Sequence, residues 1–208
     1  GHLGNQALAS LALVFPFQAL MQMMAGGAIG GGITSAIARA AGSGDLMFAR
    51  KIAFNSVLIG TGMSLIYTIS LGVFSVHIFN LLSDSRDVIN DAVKYAKVAF
   101  GGAILTWVFF VFSSILRGLG DTYTPAKAII IASLIQIILS GLFTLGLVDI
   151  VNLGVTGPAT AMIISHTLAA FFLLPKIIGS NSLLSGQNCV FNWSAIYKIL
   201  KVGGLGLL

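Results

Sequence analysis

Charged side chains are scarce in this sequence. Only 8% of its 208 residues are Asp, Glu, Lys or Arg, whereas 57% are hydrophobic. A soluble domain carries roughly 25% charged residues, and no soluble core of this length buries so much apolar surface. The mean hydropathy is correspondingly high, at +1.00. The low charge therefore excludes a soluble domain and indicates a protein whose solvent is lipid.

Cysteine and catalytic motifs are also nearly absent. The single cysteine, Cys189, excludes an intrachain disulfide. The sequence contains no H-E-x-x-H or G-x-S-x-G motif and no paired membrane aspartates, and its three histidines lie far apart. We therefore expect no enzymatic activity and no cofactor. The net charge of +5 does not indicate a nucleic-acid partner, because the basic residues stand singly at helix ends.

Long uncharged runs are what the sequence does contain, and they predict five transmembrane helices. A spanning helix needs about 20 predominantly apolar residues. The period-two alternation of β-strands is absent, so the expected fold is an all-α polytopic membrane protein. The predicted helices, all within residues 1–178, cover about 7–39, 50–81, 92–116, 124–148 and 155–177.

The composition changes after the fifth predicted helix. Residues 179–192 are rich in Ser, Asn, Gly and Gln, which predicts a flexible cytoplasmic linker. Residues 193–208 predict an amphipathic helix that lies along the inner membrane surface, followed by the start of another transmembrane helix. Its apolar face is predicted to hold Trp193, Ile196, Tyr197 and Leu200. Because the chain starts at Gly1 and ends in an apolar run, we expect a piece of a longer protein.

The distribution of charge between the loops predicts an orientation in the membrane. One side carries eight cations and two aspartates, and the other side carries three cations and four aspartates. By the positive-inside rule the first side faces the cytoplasm. The eight cations expected there are Arg39, Arg50, Lys51, Arg117, Lys127, Lys176, Lys198 and Lys201.

The first predicted helix carries small and polar residues at regular spacing. Two G-x-x-x-G pairs, Gly26–Gly30 and Gly27–Gly31, predict close helix packing or, alternatively, a segment that bends during transport. Pro16 predicts a kink. Gln18 and Gln22 lie on one face and are predicted to form interhelical hydrogen bonds or to line a cavity.

Further polar candidates lie in the fourth and fifth predicted helices. Ser133, Gln136 and Ser140 form a polar stripe, which faces the bundle interior as a pathway lining or in hydrogen bonds between helices. His166 lies mid-helix, where it relays protons or is hydrogen-bonded within the bundle. Tyr95 is predicted to lie at the membrane interface. Trp107 lies deeper and is expected to pack, with stacking on an organic cation as the alternative.

The turn between the third and fourth predicted helices reads LRGLGDTYTP, residues 116–125. Gly118 and Gly120 end the incoming helix because glycine adopts turn conformations at little cost. Asp121 or Thr122 can cap the outgoing helix with a side-chain oxygen. Pro125 suits its first turn. The stretch predicts a tight, rigid hairpin on the cytoplasmic side.

Four motifs together resemble one family. The stretches GHLGNQALASLAL, ITSAIARAAGSGD, ILRGLGDTYTP and GVTGPATAMIIS have the order and spacing found in multidrug and toxic compound extrusion (MATE) transporters. The resemblance implies a multi-pass protein of the cell membrane, expected to be a bacterial inner membrane, with about twelve helices in two six-helix lobes. This sequence would hold helices two to six of the first lobe, the linker and the start of helix seven. The second lobe of the same chain would be its partner.

The resemblance also implies a function and marks departures from the family. MATE transporters export bulky, often cationic organic compounds in exchange for sodium ions or protons. Where related branches have N-I-I-L-D, this chain has Gln136-Ile-Ile-Leu-Ser140; an expected Asn is replaced by Ser113 and Ser114, and an expected Thr by Met162. The uncharged runs contain no acid, so coupling acids are expected outside this sequence.

Two transport functions remain as alternatives. The first is an ion-coupled exporter of organic cations that works by alternating access of two lobes to a central site. Its candidate pathway residues are Gln18, Gln22, Ser113, Ser114, Gln136, Ser140 and His166. The second is a flippase of related fold for a lipid-linked or polyprenyl-linked substrate. Such proteins tend to line their cavity with cations. The predicted spanning runs of this sequence carry no cation at depth, which argues against a flippase.

Overall fold

A computed structural model describes residues 4–145, 153–179 and 190–205 of the chain. Within those residues the structure is helical, with no strand, so the all-α prediction is confirmed. The α-helices are α1 Gly4–Gln22, α2 Ile29–Gly42, α3 Leu46–Tyr67, α4 Ser75–Asn80, α5 Arg86–Gly101, α6 Ala103–Gly118, α7 Tyr123–Leu145, α8 Gly157–Ile178 and α9 Trp193–Leu205.

Four helical segments are each long and apolar enough to cross a membrane. Helices α5 and α6 meet at an angle of 44° and supply a fifth, bent span if the pair is counted as one. With that pair counted once, the described residues contain five spans in the predicted order. The four others are Gly4–Gly42, Leu46–Val73, Tyr123–Leu145 and Gly154–Ile178.

The bent span differs most from its predicted bounds of 92–116. It starts at Arg86, because the helix continues beyond the apolar run into a charged, exposed segment. The bend falls at Gly102, between α5 and α6. A Cβ at Gly102 would lie 2.4 Å from Cδ1 of Ile163 in α8. The glycine therefore lets α8 approach the break closely.

The first two spans contain π-helical segments, which add residues to a helical turn. In the first span this segment is Met23–Ala28. The α-helix continues through Pro16, and the π-helical hydrogen bonding begins seven residues later. In the second span it is Thr68–Val73, after which the backbone turns at Phe74. The second span therefore ends before the predicted residue 81, and α4 forms a separate short helix.

Glycines of the first span pack against α6. A Cβ at Gly26 would lie 2.9 Å from the ring of Phe110, and one at Gly30 would lie 2.8 Å from Oγ of Ser114. Close packing through this G-x-x-x-G pair is thus confirmed. The second pair, Gly27 and Gly31, has no atom within 4 Å of a built Cβ, so it faces open space.

The predicted hairpin between α6 and α7 is tight. Gly120 has a positive φ of 93°, and the amide of Asp121 donates to the carbonyl oxygen of Leu116 over 3.0 Å. Oδ1 of Asp121 accepts a hydrogen bond from the Thr124 amide at 2.9 Å. Oδ2 accepts from the Thr124 hydroxyl at 2.7 Å. These bonds, aided by Lys176 on α8, lower the pKa of the Asp121 carboxyl.

Helix α9 is packed on α2 through the backbones of both helices. A Cβ at Gly32 of α2 would lie only 2.3 Å from the carbonyl oxygen of Ile199. A Cβ at Gly203 of α9 would lie 3.0 Å from the carbonyl oxygen of Ala28. Any larger residue at these positions would force the helices apart.

A buried asparagine fixes the start of α9. Nδ2 of Asn55 in α3 donates to the carbonyl oxygen of Val190 at 3.1 Å, and its Oδ1 accepts from the amide of Asn192 at 3.0 Å. The side chain of Asn192 in turn accepts from the Ala195 amide, which caps α9. Most of the predicted linker 179–192 lies outside the described residues.

The four residues of the predicted apolar face of α9 do not pack on the lobe as a group. Trp193 is 70% exposed, and Tyr197 and Leu200 are also exposed, whereas Ile196 is buried. An apolar face that lies on the membrane surface stays a prediction. The buried face instead consists of Ala195, Ile196, Ile199 and Gly203. These residues are buried because the backbone of α9 contacts that of α2, and such contact requires small side chains at the interface. The spacing of large apolar residues along the chain does not indicate where small residues are needed.

Candidate functional site

Two glutamines of α1 converge on one methionine of α8. Nε2 of Gln18 lies 3.1 Å from Sδ of Met162, and Nε2 of Gln22 lies 3.3 Å from the same sulfur. The hydroxyl of Tyr95 in α5 donates to Oε1 of Gln18 at 2.8 Å. We call Gln18, Gln22, Tyr95 and Met162 the amide cluster. It joins the first, third and fifth spans through hydrogen bonds.

One side of the amide cluster borders an open groove of about 440 Å³. Its lining is mainly apolar, with Gln18 and Tyr95 as the polar members. The remaining lining residues are Leu8, Leu11, Ala12, Phe15 and Pro158. An apolar cleft with a few placed polar groups is the usual form of a small-molecule site.

The polar stripe of α7 borders a different groove. Ser133, Gln136, Ile137 and Ser140 line a shallow space of about 410 Å³. Gln136 and Ser140 are half-buried, and Ser133 is exposed. The two grooves share no lining residue, so the structure does not bring Gln136 and Ser140 into the amide cluster. Their role in a pathway stays a prediction.

His166 lies between α8 and α6 and is only 7% exposed. Its Nδ1 is 3.1 Å from the hydroxyl oxygen of Thr106. The imidazole stacks on Phe109 with the ring centroids 5.2 Å apart, and the ring of Phe110 meets it edge-on. His166 lines neither groove. A role in proton relay stays a prediction.

Ser113 and Ser114 are both buried in α6. The backbone oxygen of Ser114 accepts a hydrogen bond from Thr34 of α2 at 3.1 Å, and its Oγ accepts from Arg117 at 3.0 Å. Ser114 therefore joins α2 to α6. Oγ of Ser113 has no hydrogen-bond partner among the described residues. Neither serine lines the two grooves.

The amide cluster is uncharged. Glutamine amides donate and accept hydrogen bonds, a tyrosine hydroxyl does both, and a thioether sulfur accepts weakly. No group of three or more His, Cys, Asp or Glu side chains suited to a metal ion occurs within the described residues. The donors and acceptors of the amide cluster suit the hydrogen-bonding groups of an organic molecule.

Sequence reasoning misplaced one aromatic residue and placed another correctly. Tyr95 is 5% exposed rather than interfacial, and it belongs to the amide cluster. The signal lies in Ala92, Ala96 and Ala99, whose spacing around Tyr95 marks a tightly packed helix face. Trp107 is fully buried and lies 6.3 Å from the Tyr67 ring, so the packing alternative is confirmed.

These features define a class: a polytopic helical membrane protein with a small uncharged cavity. The family model MatE matches residues 1–142. A Bacillus subtilis relative named "Probable multidrug resistance protein YoeA" is 27% identical over 172 residues, covering 83% of this chain and 37% of the relative. "Probable multidrug resistance protein NorM" of Thermotoga maritima is 31% identical over 175 residues, with the same two coverages.

Solved structures give the same result. A structure titled "Inward-facing conformation of a multidrug resistance MATE family transporter of the MOP superfamily" aligns with a TM-score of 0.89 at 26% identity. The alignment covers 98% of this chain and 46% of that structure. The chain thus spans just over a third of the curated relatives and under half of the solved structure.

The chain belongs to the MatE family. Members of this family are transporters and not enzymes, in line with the sequence resemblance. The multi-pass membrane location is confirmed as well, because the relatives are membrane transporters and the described residues contain several spans. The fold corresponds to one lobe of such a transporter, as the sequence resemblance predicted.

Proposed function

We propose that the whole protein is a secondary active exporter of small, often cationic organic compounds, driven by a sodium or proton gradient. In this proposal a second lobe of the same chain faces the lobe described here, and alternating access carries substrate across a bacterial inner membrane. Family membership supports efflux of small organic compounds. The amide cluster beside an apolar groove is the observation within this chain that carries the proposal.

The amide cluster suits such substrates for a physical reason. Each glutamine offers an amide group with two donors and a carbonyl acceptor, and the sulfur of Met162 uses only part of that capacity. A drug-like molecule can place its apolar body in the groove and its hydrogen-bonding group against Gln18. The cluster sets no charge requirement, which suits a transporter of varied compounds.

Gln136 and Ser140 enter the proposal as a second pathway surface. They line an open groove on α7. By the sequence resemblance they stand where related branches carry the Asn and Asp of a cation site. A hard cation prefers carboxylate or several oxygen ligands, and a Gln–Ser pair offers one amide and one hydroxyl oxygen. We therefore infer that coupling acids of the exporter lie outside this sequence.

Transport by the full-length protein in proteoliposomes is the direct test. Efflux of a fluorescent organic cation is measured under an imposed sodium gradient and, separately, under a proton gradient. Gln18→Leu and Gln22→Leu should each reduce efflux several-fold. Gln6→Leu should not, because Gln6 lies in the first turn of α1, where it donates to Asp91 of α5. Efflux that both cluster variants leave unchanged would contradict the proposed site.

The α7 surface is tested by cysteine accessibility in a Cys189→Ser background. Gln136→Cys and Ser140→Cys should react with a charged, membrane-impermeant thiol reagent if they line a water-filled pathway. The matched control is Ile130→Cys, an exposed position on the same helix outside this groove. Reaction of all three positions with lipid-soluble reagents alone would place the stripe against lipid.

A further inference from the structure

A second kind of cavity lies at the end of the lobe where α2, α3 and α9 meet. This cavity, which we call the inner pocket, has a volume of about 260 Å³. It lies at the α2–α3 turn, beside the cations predicted to face the cytoplasm. Its polar lining includes Arg39, Asp45 and Lys198, and its apolar lining is Ala36, Ala40 and Phe48.

The two cations of the inner pocket lack carboxylate partners. Among the described residues neither Arg39 nor Lys198 forms an ion pair; the recorded pairs join Lys94 to Asp91 and Lys176 to Asp121. Arg39 donates to the hydroxyl of Ser35, one turn earlier in its own helix. The ammonium of Lys198 lies 4.3 Å from the centroid of the Phe48 ring. Both cations retain donors for an anion.

Asp45, the carboxylate of the inner pocket, already accepts a hydrogen bond from the backbone. Oδ1 of Asp45 accepts a hydrogen bond from the Phe48 amide at 2.8 Å and so caps α3. With two cations and one carboxylate, the lining has a net charge of +1. An anion that enters therefore meets attraction from Arg39 and Lys198 and weaker opposition from Asp45.

We propose that the inner pocket binds the phosphate of an anionic phospholipid from the cytoplasmic leaflet. Basic pockets between transmembrane helices on that side suit phospholipid headgroups. A guanidinium presents planar paired donors to phosphate oxygens, and an ammonium adds a compact charge. The apolar side chains of Ala36, Ala40 and Phe48 lie beside the cations and accommodate the glycerol and upper acyl carbons.

The lipid phosphate acts as a bridge between two parts of the chain. Arg39 belongs to α2, and Lys198 belongs to α9. A phosphate bound to both reinforces the docking of α9 that Asn55 and the glycine contact provide. Lipid composition therefore tunes how firmly α9 is held to the lobe. This assignment does not depend on the transported substrate.

The test measures lipid binding to the full-length protein by native mass spectrometry during titration with phosphatidylglycerol. Each surface cation contributes about 1 kcal/mol to binding an anionic lipid, which corresponds to about a five-fold change in Kd. Arg39→Gln and Lys198→Gln should each weaken binding by about that factor, and the double variant by about thirty-fold. Lys97→Gln, an exposed cation outside the pocket, should not change it.

Three further variants separate lipid binding from damage to the fold. Asp45→Asn keeps a good helix cap and should strengthen binding several-fold. Arg39→Lys should retain most of the affinity. Phe48→Leu removes the ring beneath Lys198 but leaves both cations, so it should weaken binding less than Lys198→Gln. An unchanged affinity in the Arg39→Gln/Lys198→Gln double variant, or a weaker affinity in Asp45→Asn, would overturn the proposal.

The source of the phosphate is resolved by comparing three probes. Phosphatidylglycerol should raise the unfolding temperature of the native protein more than that of the double variant. Phosphatidylcholine and inorganic phosphate at matched concentrations should give no such difference. If inorganic phosphate alone stabilises the native protein as strongly as phosphatidylglycerol, the pocket binds free phosphate and the lipid assignment is wrong.

Discussion

The amide of Gln18 and the sulfur of Met162 lie 3.1 Å apart and connect α1 to α8 across the lobe. A thioether is a weak acceptor, yet Gln22 donates to the same sulfur. The methionine therefore holds two amides in place without satisfying them fully. In the proposed site, a substrate carbonyl or hydroxyl would be a stronger acceptor than this sulfur. The glutamines would therefore exchange their hydrogen bonds to Met162 for bonds to substrate at little cost in free energy.

Met162→Leu tests that relationship. Leucine and methionine have similar volumes, so the packing cost stays below about 1.5 kcal/mol, but leucine offers the glutamines no acceptor. We expect a small loss of thermal stability and a change in efflux specificity in the full-length protein. Met47→Leu is the control, because Met47 is exposed at the start of α3. Equal substrate profiles for the two variants would show that the sulfur plays no part.

Tyr95→Phe removes a single hydroxyl from the amide cluster. The bond from Tyr95 to Gln18 is 2.8 Å long, and interhelical hydrogen bonds in membrane proteins contribute about 1 kcal/mol. The variant should lower stability by about that amount and weaken transport of substrates that depend on Gln18. Tyr123→Phe, at an exposed tyrosine, should change neither property. If stability and transport decline equally in both variants, the cause is a general loss of folded protein and not the loss of the Tyr95 hydroxyl.

The sequence predicted the spans well because a helix that crosses lipid needs about 20 predominantly apolar residues. Uncharged runs of sufficient length gave five spans in the observed order. It missed the bend at Gly102, since whether a glycine breaks a helix depends on its neighbour, here Ile163. It also missed the cluster around Met162, because a sulfur that accepts two amides leaves no pattern along the chain.

The side of α9 that packs on α2, which the sequence did not identify, illustrates the same limit. Amphipathic patterns rank residues by hydrophobicity, which predicts burial against water. Between helices in lipid that ranking loses force, and small residues mark the contacts instead. Trp193 and Tyr197 are accordingly exposed, whereas Ala195 and Gly203 are buried. The close packing at Gly26 and Gly30 was predicted correctly because the G-x-x-x-G motif identifies small residues one turn apart.

Gly32→Ala should release α9 from α2. The new Cβ would lie 2.3 Å from the carbonyl oxygen of Ile199, and overpacking of this kind costs about 1–3 kcal/mol. Gly31→Ala is a close control, since it adds the same methyl group one residue earlier with nothing within 4 Å. Both variants gain similarly in helix propensity.

The release is measured as the yield of a cross-link between Phe48→Cys and Lys198→Cys in a Cys189→Ser background. These positions are chosen because Lys198 lies over the Phe48 ring in the native arrangement. Gly32→Ala should reduce the yield strongly, and Gly31→Ala should leave it unchanged. If both variants give the same cross-link yield as the parent, α2 and α9 accommodate the added methyl group without moving apart, and the prediction is wrong.

The hairpin at Asp121 should lose stability in acid. Its carboxyl pKa is lowered below the ordinary value of 3.8 by the bonds from Thr124 and by Lys176. A lowered pKa means that the ionised form stabilises the folded state; the contribution is complete above about pH 5 and is lost as pH falls through the lowered pKa. Asp121→Asn keeps a capping oxygen but does not titrate. Unfolding temperatures of the two proteins should therefore differ near neutral pH and converge as the pH falls below 3.8 and through the lowered pKa. A constant difference would exclude the carboxylate as the cause.

His166 and Thr106 allow packing to be separated from proton relay. His166→Ala opens a cavity beside Phe109 and Phe110, so it should lower stability by about 2 kcal/mol or more. Thr106→Val removes only the hydroxyl that meets Nδ1 and should cost about 1 kcal/mol. Because His166 lines neither groove, we expect the pH dependence of efflux to be the same in both variants and the parent. A shifted pH profile in Thr106→Val, in protein that is still folded, would instead assign His166 to proton transfer, since that variant keeps the imidazole and changes only its hydrogen bond.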